Sequence, residues 1–198
     1  MGVGPADGVG DAFQDLMPFN HCWGCGADNP AGLRLKSRWS ADDPEVAIAT
    51  FRPRAEHMAG PRHVLNGGII ATILDCHGVC TSVADAYRHE GRAIGRGETI
   101  WFATGSLDVT YRAPAPIDAP VEMHAGVVER GERKTLVECT LVTGGDVCAR
   151  AAVTAVRVQP SWLRACDGGG RSSGAAPSTS AREGITEGRS HSVEAGAG

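Results

Sequence analysis

The chain has 198 residues, 42% hydrophobic and 21% charged, which is enough to bury one core and favours a single domain with extensions. A net charge of −4 with no Lys/Arg run argues against nucleic-acid binding, yet a few local cations would suffice for an anionic ligand. The first twenty residues lack a basic start followed by an apolar stretch, and the longest apolar run is broken by Asp75 and His77. Neither a secretory leader nor a membrane span is therefore expected, and the reading is cytoplasmic, with seven scattered cysteines as reduced thiols.

Residues 1–20 are Gly-rich and, apart from a short helix at 11–17, read as a flexible lead-in. His21-Cys22-Trp23-Gly24-Cys25-Gly26 and Asp28-Asn29-Pro30-Ala31-Gly32 are dense in turn residues. A CxxC spacing beside a histidine supplies part of a zinc site, but four-coordinate structural sites usually draw on a second ligand pair. The other donors, Cys76, His77 and Cys80, fall on what reads as the central helix. The expectation is a structural turn or the lining of one pocket end, with no metal.

Residues 33–39 alternate Leu33, Leu35, Ser37 and Trp39 against Arg34, Lys36 and Arg38, the period of a half-exposed strand. Asp42-Asp43-Pro44 turns the chain, and 45–51 alternates again to complete a hairpin. An irregular loop, 52–65, carries His57 and His63 and leads into Asn66-Gly67-Gly68.

From there the chain is strongly apolar to Cys80 except for Asp75 and His77. Read as a helix ending near Tyr87, it gathers Ala71, Thr72, Gly78, Val79 and Ser82 around Asp75. Ile69, Ile70, Ile73, Leu74, Cys76, Cys80, Val83 and Ala84 cover the rest of the wheel, so this helix belongs in the middle of the domain. An ionised Asp in such company costs several kcal/mol unless paired or solvated. Residue types alone leave two readings open: a carboxylate facing a ligand space, or a structural Asp behind an ordinary Gly-Gly turn.

A polar loop at 88–98 follows, then strands at 99–112, 121–129, 135–143 and 147–158, separated by Ala113-Pro114-Ala115-Pro116, Arg130-Gly131-Glu132 and Gly144-Gly145-Asp146. These read as an antiparallel meander. Residues 161–198 turn to Gly, Ser and Ala without apolar period and are expected to be disordered. The domain is thus placed at 21–160, as an α+β layer in which an antiparallel sheet wraps one long central helix.

This pattern resembles the hotdog-fold acyl-CoA thioesterases, in the branch of the phenylacetyl-CoA and 4-hydroxybenzoyl-CoA thioesterases. The likeness rests on Cys22-Trp23-Gly24-Cys25-Gly26 with Asn29-Pro30-Ala31-Gly32-Leu33, the Gly67-Gly68 helix start, the spacing of Asp75, and Asp108-Val109-Thr110-Tyr111-Arg112-Ala113-Pro114. The resemblance implies hydrolysis of an acyl-CoA or acyl-carrier-protein thioester by a homodimer or dimer of dimers, with coenzyme A entering as part of the substrate and no separate cofactor. It places carbonyl polarisation on the Gly67 amide with Gly68 beside it, and the base or nucleophile on Asp75 of the facing subunit. Thr104 matches the family's second polar position, with Ser106 as a weaker rival. Relatives commonly carry His where this chain has Asn66, which caps a helix but does not titrate near neutrality. They also carry a water-orienting amide near Ala59 and Gly60, for which His57 or His63 would substitute. Ser82 and Arg112 complete the expected substrate contacts. Trp39, Trp101 and Phe102 either line an acyl tunnel or fill the core.

Two alternatives share the fold. One is a dehydratase or hydratase using a histidine such as His63 or His77, although His77 lies about 200° from Asp75 on an ideal helix. The other is a non-catalytic acyl-CoA-binding protein of a biosynthetic pathway, motivated by Asn66.

Overall fold

A computed structural model describes residues 11–159 and Ser161. The first ten residues of the expected lead-in, and all of the expected tail except Ser161, lie outside the described residues.

Among the described residues six strands form one sheet: β1 (Ser37–Trp39), β2 (Val46–Phe51), β3 (Phe102–Tyr111), β4 (Val121–Arg130), β5 (Lys134–Thr143) and β6 (Asp146–Arg157). Their order is β1-β2-β4-β5-β6-β3, and every pairing is antiparallel. The helix α2 (Gly67–His89) packs against β3, β4, β5 and β6, giving the hotdog arrangement. Gly67–His89 is apolar enough to span a bilayer by length and composition alone, but most of it is buried against this sheet.

Alternation explains the packing. Ala47, Ala49 and Phe51 on β2, Val121, Met123 and Ala125 on β4, Val137, Cys139 and Leu141 on β5, and Ala149, Ala151, Val153 and Ala155 on β6 are all buried. The many alanines let the helix lie close to the sheet. At Gly78 a Cβ would stand 2.7 Å from Val153 Cγ2. Gly144 and Gly145, with φ of 57° and 91°, make the tight β5–β6 turn that their sequence announces.

Three expectations change. The last four strands are not a simple meander: β4, β5 and β6 are, but β3 returns to the edge beside β6. The reason lies in residues 112–120, where prolines cannot continue a hairpin. This segment instead runs beside 63–65, with Leu65 N–H donating to Ala115 O and Ile117 N–H to His63 O, and carries the chain across to β2. The first strand is also shorter than 33–39. Leu33 N–H donates to Trp23 O and Leu35 N–H to Gly24 O, and Arg34 takes a φ of 56°, so the backbone there pairs with the CxxC loop rather than the sheet. Finally, the lead-in is not loose from Ala12 onward. The short α1 (Phe13–Leu16) buries Phe13 and Gln14, and Gln14 Nε2 donates to Ser37 Oγ at 2.9 Å.

Candidate active site

Helix α2 begins at an Asn cap. Asn66 Oδ1 accepts from Gly68 N–H at 2.7 Å and from Ile69 N–H at 3.4 Å, while its own backbone N–H donates to His57 O. The Gly68 amide is therefore committed to the cap. Gly67 N–H has no hydrogen-bond partner among the described residues, as befits the first residue of a helix. Its carbonyl accepts the Tyr111 hydroxyl at 2.7 Å, tying the helix start to the end of β3. An open groove of ≈ 400 Å³ adjoins it, lined by Ala59, Val64, Leu65, Ile70, Tyr111 and Pro114 among others, with Arg112 also in its wall.

Further along α2, a stripe at Gly68, Thr72, Asp75 and Val79 stays exposed or half-buried while the residues between them are mostly buried. Asp75 Oδ1 accepts the Thr104 hydroxyl at 2.8 Å, across from the edge strand β3. Burial pushes the Asp75 carboxyl above its ordinary range, and the Thr104 hydrogen bond opposes part of that rise. Among the described residues no cation pairs with Asp75.

The placement of Thr104 has a local cause. The β3–β6 register skips Gly105, matching Thr104 to Ala155 and Ser106 to Thr154. A Cβ on Gly105 would come within 2.6 Å of Val156 Cγ2, so only glycine fits the bulge. The bulge resets the strand directly after Thr104, and it is Thr104, not Ser106, that bonds to Asp75.

Other expected site residues separate into two groups. Arg112 lies beside Gly67 in the groove wall, and His63 is exposed on the loop that feeds the helix. Ser82, in contrast, is fully buried with its hydroxyl donating to Gly78 O at 3.1 Å, so it has no route to a substrate in this chain. Gly78 likewise faces Val153 rather than the open stripe. His57 is also buried: Nδ1 accepts from Arg54 N–H, the ring stacks on Phe51, and the carbonyl holds Asn66. It ties the loop ahead of the helix to the Asn66 cap. Phe102 is core, and Trp39 packs against it from the edge, 5.1 Å from the Phe13 ring centroid.

His77 is wholly enclosed. Its Nε2 can only donate to Ala47 O at 3.2 Å, which leaves Nδ1 to accept from Ser37 Oγ at 2.9 Å. Burial depresses its pKa to about 4, so the neutral ring is a structural hydrogen-bond bridge on the sheet side of the helix. Cys139 is buried too, and burial together with the nearby Asp75 charge pushes its thiol up to about 12, far from a reactive thiolate. The cysteines weighed and set aside as zinc donors from the sequence come together between the CxxC loop and the helix: the sulfurs of Cys22, Cys25 and Cys76 lie within 4.8 Å of one another, and Cys80 Sγ lies 3.8 Å from Cys25 Sγ.

A family model described as the thioesterase superfamily matches residues 63–150, from just before the helix start into β6. Among solved structures, a thioesterase superfamily protein from Shewanella loihica is 31% identical, covering 71% of this chain and 96% of that one at a TM-score of 0.54. A phenylacetic acid degradation-related protein from Ralstonia eutropha is 18% identical over 63% of this chain and 85% of its own, with a TM-score of 0.51. A thioesterase from Haemophilus influenzae is 16% identical over 64% and 80%, with a TM-score of 0.52. These two share the fold. A comparison with curated proteins finds no match. With its sheet, its helix and a 31% identical relative aligned over nearly that relative's whole length, the chain belongs to the thioesterase superfamily, and its chemistry is thioester hydrolysis.

Proposed function

We propose that the protein hydrolyses acyl-CoA thioesters in a site shared by two copies of the chain, with Gly67 of one and Asp75 of the other on the same thioester carbon. The single observation that carries this reading is the state of Asp75: half-buried, held by one hydroxyl, and free of any cation among the described residues. A structural carboxylate in that position would need a stronger partner.

Attack on a thioester builds negative charge on the carbonyl oxygen. An uncommitted N–H at the positive end of a helix stabilises that charge by about 2.7–4 kcal/mol, and Gly67 offers one. Asp75 either takes a proton from water or attacks directly; its partial desolvation strengthens it in both roles. Thr104 holds the carboxylate in place.

One chain does not bring these two groups together. Eight residues of α-helix separate them by about 12 Å along the axis, far beyond the reach of one reacting carbon. A second copy resolves the distance, and β3 is the edge strand on which Thr104 stands, with no strand paired beyond it among the described residues. The apolar groove beside Gly67 suits the substrate's uncharged stretch, and Arg112 in its wall suits a phosphate of CoA.

The dehydratase reading loses support from His77, which is neutral, enclosed and hydrogen-bonded on both nitrogens. A panel of short, aromatic and long acyl-CoAs, assayed for release of free thiol, tests the proposal. Turnover of at least one class is expected. Tight binding without thiol release, or an unsaturated product with the thioester intact, would overturn it.

A further inference from the structure

The four cysteines at the CxxC loop are not explained by thioester hydrolysis. Cys22 and Cys25 come from the loop, and Cys76 and Cys80 stand one turn apart on the same face of α2. Cys22 Sγ lies 3.7 Å from Cys76 Sγ, and Cys25 Sγ lies 3.8 Å from Cys80 Sγ. The sulfurs of Cys22, Cys25 and Cys76 are all within 4.8 Å of one another, and Cys80 stands outside that trio, joined to it through Cys25. A tetrahedral metal with metal–sulfur bonds of about 2.3 Å requires sulfur–sulfur separations of about 3.8 Å.

We propose that Cys22, Cys25, Cys76 and Cys80 form a tetrathiolate site for one Zn²⁺, which staples the loop ahead of β1 to the helix that carries Asp75.

Three independent features of the loop support a built site. Its glycines enforce contact with the helix: a Cβ on Gly24 would stand 2.4 Å from Cys76 Sγ and 2.9 Å from Thr72 Cγ2, and one on Gly26 would collide with Asn20 O and Cys22 backbone atoms. Gly26 N–H closes the knuckle on Cys22 O at 2.7 Å. Outer-shell support exists as well, since Asn20, itself buried, directs its side-chain N–H at Cys25 Sγ. Finally, the loop has little else to hold it. Between Met17 and Leu33 the one buried apolar side chain is Cys25, while Phe19 and Trp23 are exposed. A segment that buries so little apolar surface needs a cross-link to offset its ordering entropy.

A divalent cation takes all four as thiolates and releases their protons. Four sulfurs close the coordination sphere, so the ion is structural and leaves no open position for substrate. His21 is exposed, and both ring nitrogens of His77 are already engaged, with Ser37 and Ala47.

The test uses the full chain purified without chelator and measures metal by mass spectrometry. One equivalent of zinc per chain is expected. Cys22→Ser and Cys80→Ser should each hold under about a tenth of that, while Cys148→Ser, whose thiol lies near Pro114 and Asp146, should keep the full equivalent. Should the variants fail to fold, the wild-type chain still decides: anaerobic exchange with Co²⁺ should give the visible bands of a tetrahedral cobalt thiolate. Failure to retain zinc after anaerobic reconstitution and gel filtration would overturn the proposal. So would iron as the bound metal, or a disulfide among these four cysteines in freshly purified protein.

Discussion

Two aspartates on α2 have opposite fates. Asp85 is buried, and both of its oxygens accept from Arg130, at 2.8 and 2.9 Å. The cluster extends outward: Glu45 lies 3.6 Å from Arg130 and 3.2 Å from Arg88, whose guanidinium sits 3.5 Å above the Trp39 ring. Asp75, earlier on the same helix, has one threonine hydroxyl and no cation among the described residues. The difference separates a carboxylate that holds the fold from one left able to react. Burial alone does not tell them apart; the partner does. A buried charge with a bidentate guanidinium is electrostatically settled, whereas a half-buried one held by a hydroxyl keeps a raised pKa and a usable lone pair.

Substitution of each aspartate should break the comparison in opposite directions. Asp75→Asn should lower kcat for thioester hydrolysis by about 10²–10⁴-fold and leave the melting temperature nearly unchanged, as followed by thiol release and calorimetry. A stable, fully active variant would remove Asp75 from the chemistry. The same assays sharpen the role of the helix start. Gly67→Pro deletes one N–H at a helix position where proline is well tolerated, and Asn66 already has the extended backbone, φ −62° and ψ 132°, that a following proline requires. It should cost about 10²–10³-fold in kcat. Gly67→Ala keeps the N–H, places a Cβ at ordinary contact distance from Tyr111, and should stay within a few-fold of wild type.

Asp85→Ala should do the reverse of Asp75→Asn. Stability in urea should fall by about 1–3 kcal/mol, the size of a buried charge-assisted pair whose arginine can still turn to Glu45 and solvent, while kcat of the folded fraction holds. The smallest effect is expected at Thr104. Thr104→Val removes a donor that favours the Asp75 carboxylate, so the folded-state pKa should rise further and the acid limb of kcat/KM should move to higher pH. A profile unchanged by this substitution would mean that the hydroxyl does not bear on the reacting group.

Much of the fold was legible because alternation and apolar period are local. β2, β4, β5 and β6 fall within a residue or two of their expected bounds, and α2 runs only two residues past Tyr87. What the pattern missed depended on partners distant in sequence. Leu33 and Leu35 alternate like a strand, but their N–H groups pair with Trp23 and Gly24 instead. Ser82 falls on the Asp75 stripe of the helical wheel, yet the sheet and a neighbouring turn enclose it. Asn66 and Thr104 were readable, the first as a cap and the second through the family likeness, but the bulge at Gly105 that sets the Thr104 position leaves no sequence signal beyond a lone glycine. The cysteine grouping was weighed and set aside for the same reason. Each pair was visible, and only folding of the loop onto the helix joins them.

The claim that the site is shared between copies is open to direct complementation. Gly67→Pro and Asp75→Asn chains, each inactive alone, are unfolded and refolded together, and thiol release is compared with the separately refolded parents. If one copy's amide serves the other copy's carboxylate, every mixed dimer regains one intact site, and random pairing returns about a quarter of wild-type activity. If both groups act within a single chain, no pairing restores a site, and activity in the mixture stays at the level of the parents.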